Sequence, residues 1–287
     1  MPELPEVEVV RAGLAAHLDG AVVDSVTVHD SRSLRRHPGP VEDFAQRLIG
    51  RRMLPPARRG KFLWIPLGPH DALLAHLGMS GQLLLREAGA AEARHTRIQI
   101  GVSTASGPLR VDFSDQRLFG SLAVDELVPS GDHDDLVPAQ ARHIARDPLD
   151  PLFDESRFLG ALARRDTAIK RALLDQQLLS GVGNIYADEA LWAARVHPEQ
   201  PSGSLSRVKA RQLLAEVRAV FLKALAEGGT SFDEQYRNVN GEAGYFAHSL
   251  NAYGRGGLAC PRCGGPIKRV SFMNRGSHFC PRCQRRR

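Results

Sequence analysis

Residues 1–18 read MPELPEVEVVRAGLAAHL. Val7, Val10, Leu14 and Leu18 recur at helical spacing, so a helix with one apolar stripe is expected over about 2–18. Glu3 and Glu6 fall in its first turn, where carboxylates complement the positive end of the helix dipole, and Gly20 supplies a stop. Taken alone, the two acids read as ordinary residues of a helix start.

Beyond this helix the segments are short and β-like: 22–28, 62–67, 82–85, 97–102, 109–113 and 121–124, separated by turn residues. They predict a β-sandwich or barrel-like domain. Two Asp-Pro steps, at Asp147-Pro148 and Asp150-Pro151, then break the pattern, because proline biases its predecessor away from helix. Helical periodicity follows over 155–164, 168–179, 184–194 and 204–227, the last stopped by Gly228-Gly229. A polar, Gly-containing stretch at 230–244 reads as a loop. The expected organisation is α+β, with domains at 1–134, 135–247 and 248–287.

The chain has 287 residues, ample for two domains and a sizeable core. No run of about 18 apolar residues offers a membrane span. Three glutamates near the start replace the basic and apolar regions of a signal peptide, so a cytoplasmic location is expected. The net charge is +6 and unevenly spread. No Asp or Glu follows Glu242, whereas nine Lys or Arg lie from Arg255 to Arg287. So basic a module is either a solvated tail or an electrostatic footprint for a polyanion.

All four cysteines sit in that module, as Cys260-x2-Cys263 and Cys280-x2-Cys283. Two such knuckles suit tetrahedral zinc better than redox chemistry, for which one motif would suffice. Gly264-Gly265 and Pro266 fit a zinc-ribbon hairpin, and four thiolates leave no open coordination position, so the zinc should be structural. Lys268, Arg269 and Arg275 in the hairpin favour DNA as its ligand, although ribbons also contact proteins.

Several strings in order resemble the formamidopyrimidine-DNA glycosylase family over essentially the whole chain. They are MPELPEVE at the start, RRGKFLW around Lys61, HLGMSG at 76–81, DQRLFG at 115–120, GVGNIYADEAL at 181–191, GGTSF at 228–232, GYF at 244–246 and the four cysteines. The resemblance implies a β-sandwich led by the helix, a helical domain with a helix–two-turn–helix element over 168–194, and the zinc ribbon. It also implies a bacterial base-excision-repair enzyme, a monomer working on nucleoid DNA, that excises 8-oxoguanine and formamidopyrimidines and then cuts the strand by β,δ-elimination.

On that resemblance Pro2 is the nucleophile. Methionine before a small residue is readily removed, leaving a secondary amine. An α-amino group has a pKa of about 8, so a useful fraction is neutral near pH 7. Glu3 serves proton transfers on the sugar, with Glu6 close by. Lys61, which by itself reads as a strand-end cation, becomes a general acid that also binds phosphate. Arg275 grips the phosphates flanking the lesion and assists δ-elimination.

A base within a duplex must be extruded, and the gap filled. Met79, Arg117 and Phe119 match the family's wedge residues, with Arg117 pairing to the orphaned base, expected to be cytosine. Met79 or Phe119 alone would read as core, but the Gly-Met-Ser-Gly turn favours exposed loops. His76, His95, Arg165, Lys170 and Asn184 match phosphate contacts, Asn184 through its amide at a helix N-terminus. The 230–244 loop corresponds to a lesion-capping loop. Gln116 and Leu118 depart from the Pro and second Arg that many relatives carry in the wedge loop. Leu4 favours the oxidised-purine branch over one acting on oxidised pyrimidines.

Overall fold

The computed structural model describes residues 2–230, 239 and 244–286. Contacts along the chain divide it into two compact units, Met1–His143 with Gly228–Gly244, and Ile144–Glu227 with Tyr245–Arg287.

The first unit opens with α1 (Leu4–Leu18), capped by a reciprocal pair of hydrogen bonds between Glu3 and Glu6. Its elements continue as β1 (Val22–Val28), α2 (Val41–Leu48), β2 (Ala57–Arg59), β3 (Phe62–Pro66), β4 (Asp71–His76), β5 (Gly81–Glu87), β6 (Thr96–Thr104), β7 (Gly107–Asp115), β8 (Ser121–Pro129) and β9 (Leu136–Pro138). The strands form two antiparallel sheets, ordered β1-β6-β7-β5 and β2-β3-β4-β8-β9. Strand β6 buries Thr96, Ile98, Ile100 and Val102 with strict alternation, the period of a half-buried strand. The apolar stripe of α1, Val7 with Val10, Leu14 and Leu18, joins the same core. Burying each such side chain contributes about 1.5–3 kcal/mol, so the N-terminus is anchored by its helix rather than left to fray.

The expected sandwich is therefore present, and β1 spans the residues expected of it. Strand β4 was not legible, because Asp-Ala-Leu-Leu-Ala-His lacks β-branched residues. Its pairing to both β3 and β8 overrides that weak propensity.

The second unit holds α3 (Glu155–Ala163), α4 (Ile169–Leu174), α5 (Asn184–Ala193), α6 (Arg207–Ala226) and the hairpin β10 (Lys268–Phe272) and β11 (Arg275–Phe279). The helix expected over 168–179 stops at Leu174. Asp175 takes an extended conformation and its Oδ1 accepts the Gln177 N–H at 2.9 Å, so a side chain replaces the helical bond. Helix α6 starts where Ser206 accepts the Lys209 N–H, and ends before Gly228 and Gly229, both at positive φ.

Helix α5 is buried on most of its circumference, acids included. Glu189 explains part of this: its carboxylate accepts the backbone N–H groups of Asn251, Ala252 and Tyr253 at 2.8–2.9 Å. Those bonds tie the segment leading to the cysteine hairpin onto the helix. Among the described residues no helix is long and apolar enough to cross a membrane.

Candidate active site and nucleic-acid interface

At the N-terminus, Pro2 is buried, and Glu3 and Glu6 are each only 2% exposed. The Glu3 N–H donates to Glu6 Oε2 at 2.8 Å. The other oxygen, Oε1, accepts both the N–H and the hydroxyl of Thr230 at 2.8 Å. Gly229 lies against the same side chain, where an added Cβ would come within 3.2 Å of Oε1. With both oxygens engaged, Glu6 holds the chain end and the start of the following loop in place. Of the two acids, Glu3 stands next to the prolyl nitrogen along the chain.

Gly244 closes the far end of that loop against Gly228 and Gly229; a Cβ on it would fall 2.3 Å from the Gly229 carbonyl oxygen. Of the 230–244 stretch read as a lesion-capping loop, residues 231–238 and 240–243 lie outside the described residues. Val239 is buried, and its carbonyl accepts the Leu85 N–H at 3.0 Å.

Lys61 follows Gly60 in the two-residue turn between β2 and β3, and Gly60 takes the positive φ of 58° that such a turn requires. Directly across from Phe62 stands His76, their rings 5.0 Å apart. Burial, then the positive charges of Arg36, Lys61 and Arg35, lower the His76 pKa to about 4. Its Nδ1 lies 3.2 Å from the Gly78 N–H, as an acceptor should, which leaves Nε2–H as a donor. His76 is thus a neutral donor set among cations, chemistry suited to a phosphate oxygen.

Met79, Arg117 and Phe119 are exposed, the first at 43% and the last at 51%. Single exposed apolar side chains are common on protein surfaces, so what marks these two is their place on adjoining loops beside Arg117. Leu118 between them takes a φ of 57°, which costs a residue with a Cβ about 1–2 kcal/mol. His95 is half-buried and its carbonyl accepts the Asp115 N–H.

In the second unit, Arg275 is exposed and follows Met273 and Asn274, the two positive-φ residues of the hairpin turn. The three residues after it are fastened to α5. Asn184 donates its amide to the Gly276 carbonyl at 2.9 Å. One helical turn later, Asp188 accepts from the Ser277 hydroxyl, from the His278 N–H and from Lys170 Nζ, the last at 2.6 Å.

These contacts correct the expectation for Lys170. Its side chain is wholly buried in an ion pair with Asp188 and so does not face a phosphate. Asn184 donates its amide nitrogen to the Gly276 carbonyl, and the residue is only 8% exposed. Both residues position the strand that bears Arg275. Arg165 is half-exposed, pairs with Asp175 at 2.6 Å and lines an open cavity of about 400 Å³ with Arg171, Thr167 and Met273.

The motif reading did not single out Asp115, Asp188 or Glu189. The available signal was spacing, since Asp188 lies four residues beyond Asn184 and thus on the same helix face.

The Sγ atoms of Cys260, Cys263, Cys280 and Cys283 all lie within 4.8 Å of one another. Tetrahedral zinc with bonds of about 2.3 Å places its sulfurs about 3.8 Å apart, so the four fit one ion. Burial would raise the Cys260 thiol, yet the Trp192 indole and the N–H groups of Arg262 and Cys263 draw it down to about 6. Burial and the neighbouring sulfurs push Cys283 up to about 12. Four thiols so close cannot all ionise without a cation among them. One structural zinc meets that need and leaves no position for a water.

Three family models match in order: the formamidopyrimidine-DNA glycosylase N-terminal domain over residues 1–122, the H2TH domain of the same family over 144–235, and a zinc finger found in FPG and IleRS over 257–286. A formamidopyrimidine-DNA glycosylase of Leifsonia xyli is 60% identical over 99% of this chain and 100% of its own. One of Streptomyces coelicolor is 54% identical over 99% and 98%. Among solved structures, a Lactococcus lactis FPG variant in complex with Fapy-dG containing DNA aligns with a TM-score of 0.84 at 30% identity, covering 99% of this chain and 100% of that one. MutM (FPG) of Thermus thermophilus aligns at 0.81 and 35%, covering both chains fully.

Because folding lowers the His76 pKa, the neutral ring stabilises the fold fully above pH 6.5, and this contribution is lost as pH falls towards 4. Histidine ¹⁵N shifts should show the ring still neutral at pH 6; an imidazolium at that pH would contradict the assignment. Zinc removal should be visible through Trp192, whose indole N–H donates to Cys260 Sγ at 3.4 Å and whose ring lies under the Arg262 guanidinium. In a Trp64→Phe background, chelation is expected to shift Trp192 fluorescence and abolish DNA binding while the first unit keeps its β-sheet signal. Unchanged affinity after chelation would remove the ribbon from the binding surface.

Proposed function

The chain belongs to the formamidopyrimidine-DNA glycosylase family, and on that premise we propose that it excises oxidised purines from duplex DNA and then cleaves the strand as an AP lyase. The observation that carries this reading is Pro2 at the head of a buried, carboxylate-capped helix, followed directly by Glu3. A secondary amine held there has few orientations to lose before it meets a sugar carbon.

The chemistry proceeds in balanced steps. The neutral Pro2 nitrogen attacks C1′, and the bond from C1′ to the damaged base breaks, the base leaving with the electron pair and a proton. Glu3 protonates the sugar ring oxygen as the ring opens, leaving an iminium between Pro2 and C1′. The iminium acidifies the C2′ hydrogen. Its loss expels the 3′-phosphate, a further proton loss at C4′ expels the 5′-phosphate, and water frees the amine.

Lys61 is proposed as the general acid of the elimination and as a phosphate ligand. Arg275 is proposed to hold the phosphates beside the lesion, and its rigid hairpin mounting supports that role. Met79 and Phe119 would fill the emptied stack, with Arg117 pairing to the opposite cytosine. His76, His95 and Arg165 would hold the backbone. The structural zinc would keep the basic hairpin folded and takes no part in bond making. The protein is proposed to act as a monomer in the bacterial cytoplasm, on nucleoid DNA.

Oxidised purine over oxidised pyrimidine rests on Leu4 and on the exposed wedge residues. Single-turnover excision from duplexes carrying 8-oxoguanine opposite cytosine, or thymine glycol, tests the choice. The purine should be processed faster, and Glu3→Gln should slow it by about 10²–10⁴-fold. Faster release of thymine glycol would overturn the substrate assignment, and no release of either would favour a lesion-binding protein without catalysis.

A further inference from the structure

Residues 77–80 and 116–120 form two adjoining loops of the first unit that carry Met79, Arg117 and Phe119. Asp115, wholly buried, is their common tie. Its Oδ1 accepts the Ser80 hydroxyl at 2.5 Å and the Arg117 N–H at 3.1 Å, and its Oδ2 accepts the Gly120 N–H at 2.6 Å. Gly78, at φ 61°, lets the loops touch backbone to backbone; a Cβ there would fall 2.3 Å from the Phe119 carbonyl carbon. Asp115 grips the second loop at both ends but not in the middle, where Leu118 holds its left-handed conformation.

The middle is gripped from elsewhere. Arg35 follows the short helical turn Ser31–Leu34, and its guanidinium donates Nη1 to the Leu118 carbonyl and Nη2 to the Phe119 carbonyl. A planar fork of donors suits two successive carbonyl oxygens, a task that the point charge of lysine cannot repeat. Without that grip, Leu118 could leave the disfavoured region, and the side chains on either side of it would turn with the backbone.

We propose that Arg35 is a positioning residue for DNA opening: its guanidinium fork fixes the strained backbone of Leu118 and the carbonyl of Phe119, so that Arg117 and Phe119 stand ready to enter the duplex. The inference rests on the reading of Met79, Arg117 and Phe119 as inserting residues. Its dependence on geometry separates it from a general attraction of DNA by the nearby Arg36 and Lys61.

The test pairs Arg35→Met with Arg35→Lys and uses two probes. The first is a duplex with 8-oxoguanine beside 2-aminopurine, whose fluorescence rises on unstacking. The second is a single-stranded oligonucleotide with an abasic site, trapped by borohydride, which demands chemistry but no opening. Both variants should slow the fluorescence rise by about tenfold or more, since small misplacements of positioned groups are costly. Both should trap the single strand within about twofold of the unsubstituted protein. Normal opening by Arg35→Lys would mean that charge suffices and would overturn the fork; normal opening by Arg35→Met would overturn any role. Equal loss in both probes would mean a general structural part and would also overturn it. Failure of the unsubstituted protein to trap the abasic strand would strike the catalytic reading instead, and the opening signal would still report on Arg35.

Discussion

The carboxylate of Glu6 is the constraint on which the rest depends. It takes the Glu3 N–H on one oxygen and the Thr230 N–H and hydroxyl on the other. A buried carboxylate is tolerable only when such donors replace its lost water. In exchange it fixes the first residues of the chain, normally the loosest part of a protein, to the stem of a loop more than two hundred residues away in sequence. The helix that follows supplies the counterweight through its buried stripe. The nucleophile proposed for this chain, its terminal amine, depends on such anchoring of the chain end.

The same device recurs beside the exposed side chains that are proposed to meet DNA. Asp115 ties the loops of Met79 and Arg117, and Asp188 fastens the strand after Arg275 to α5. Glu189 does so for the segment entering the ribbon. Each is an acid with little or no exposure, surrounded by several donors. Buried ionic groups of this kind add little net stability but are expensive to leave half-satisfied, so they select one arrangement of the elements they join. Removing Lys170, for example, would leave the Asp188 carboxylate in a closed interior without its ammonium partner, held by Ser277 and His278.

The fold was legible where local pattern and tertiary demand agree. The stripe of α1, the alternation of β6 and the cysteine spacing all read directly, because each is a short-range requirement of burial or of tetrahedral coordination. Strand β4 did not read, since its Ala and Leu residues become a strand only through partners on both sides. The proposed site divides along the same line. Pro2, Glu3 and the exposed loop residues follow from strings of adjacent residues. The buried supports do not, because the carboxylates of Asp115 and Asp188 gain their meaning from groups far along the chain. Lys170 was placed on a phosphate for that reason: a cation near a helix start looks the same in sequence whether it faces solvent or the interior.

Bonding of the Pro2 amine to the sugar is open to one direct measurement. The protein would be incubated with borohydride and a duplex holding 8-oxoguanine opposite cytosine, and the trapped adduct digested and mapped by mass. The DNA fragment should be on the N-terminal peptide, joined to Pro2 with Met1 absent. A crosslink on Lys61 or any other lysine, or excision with no adduct at all, would contradict it.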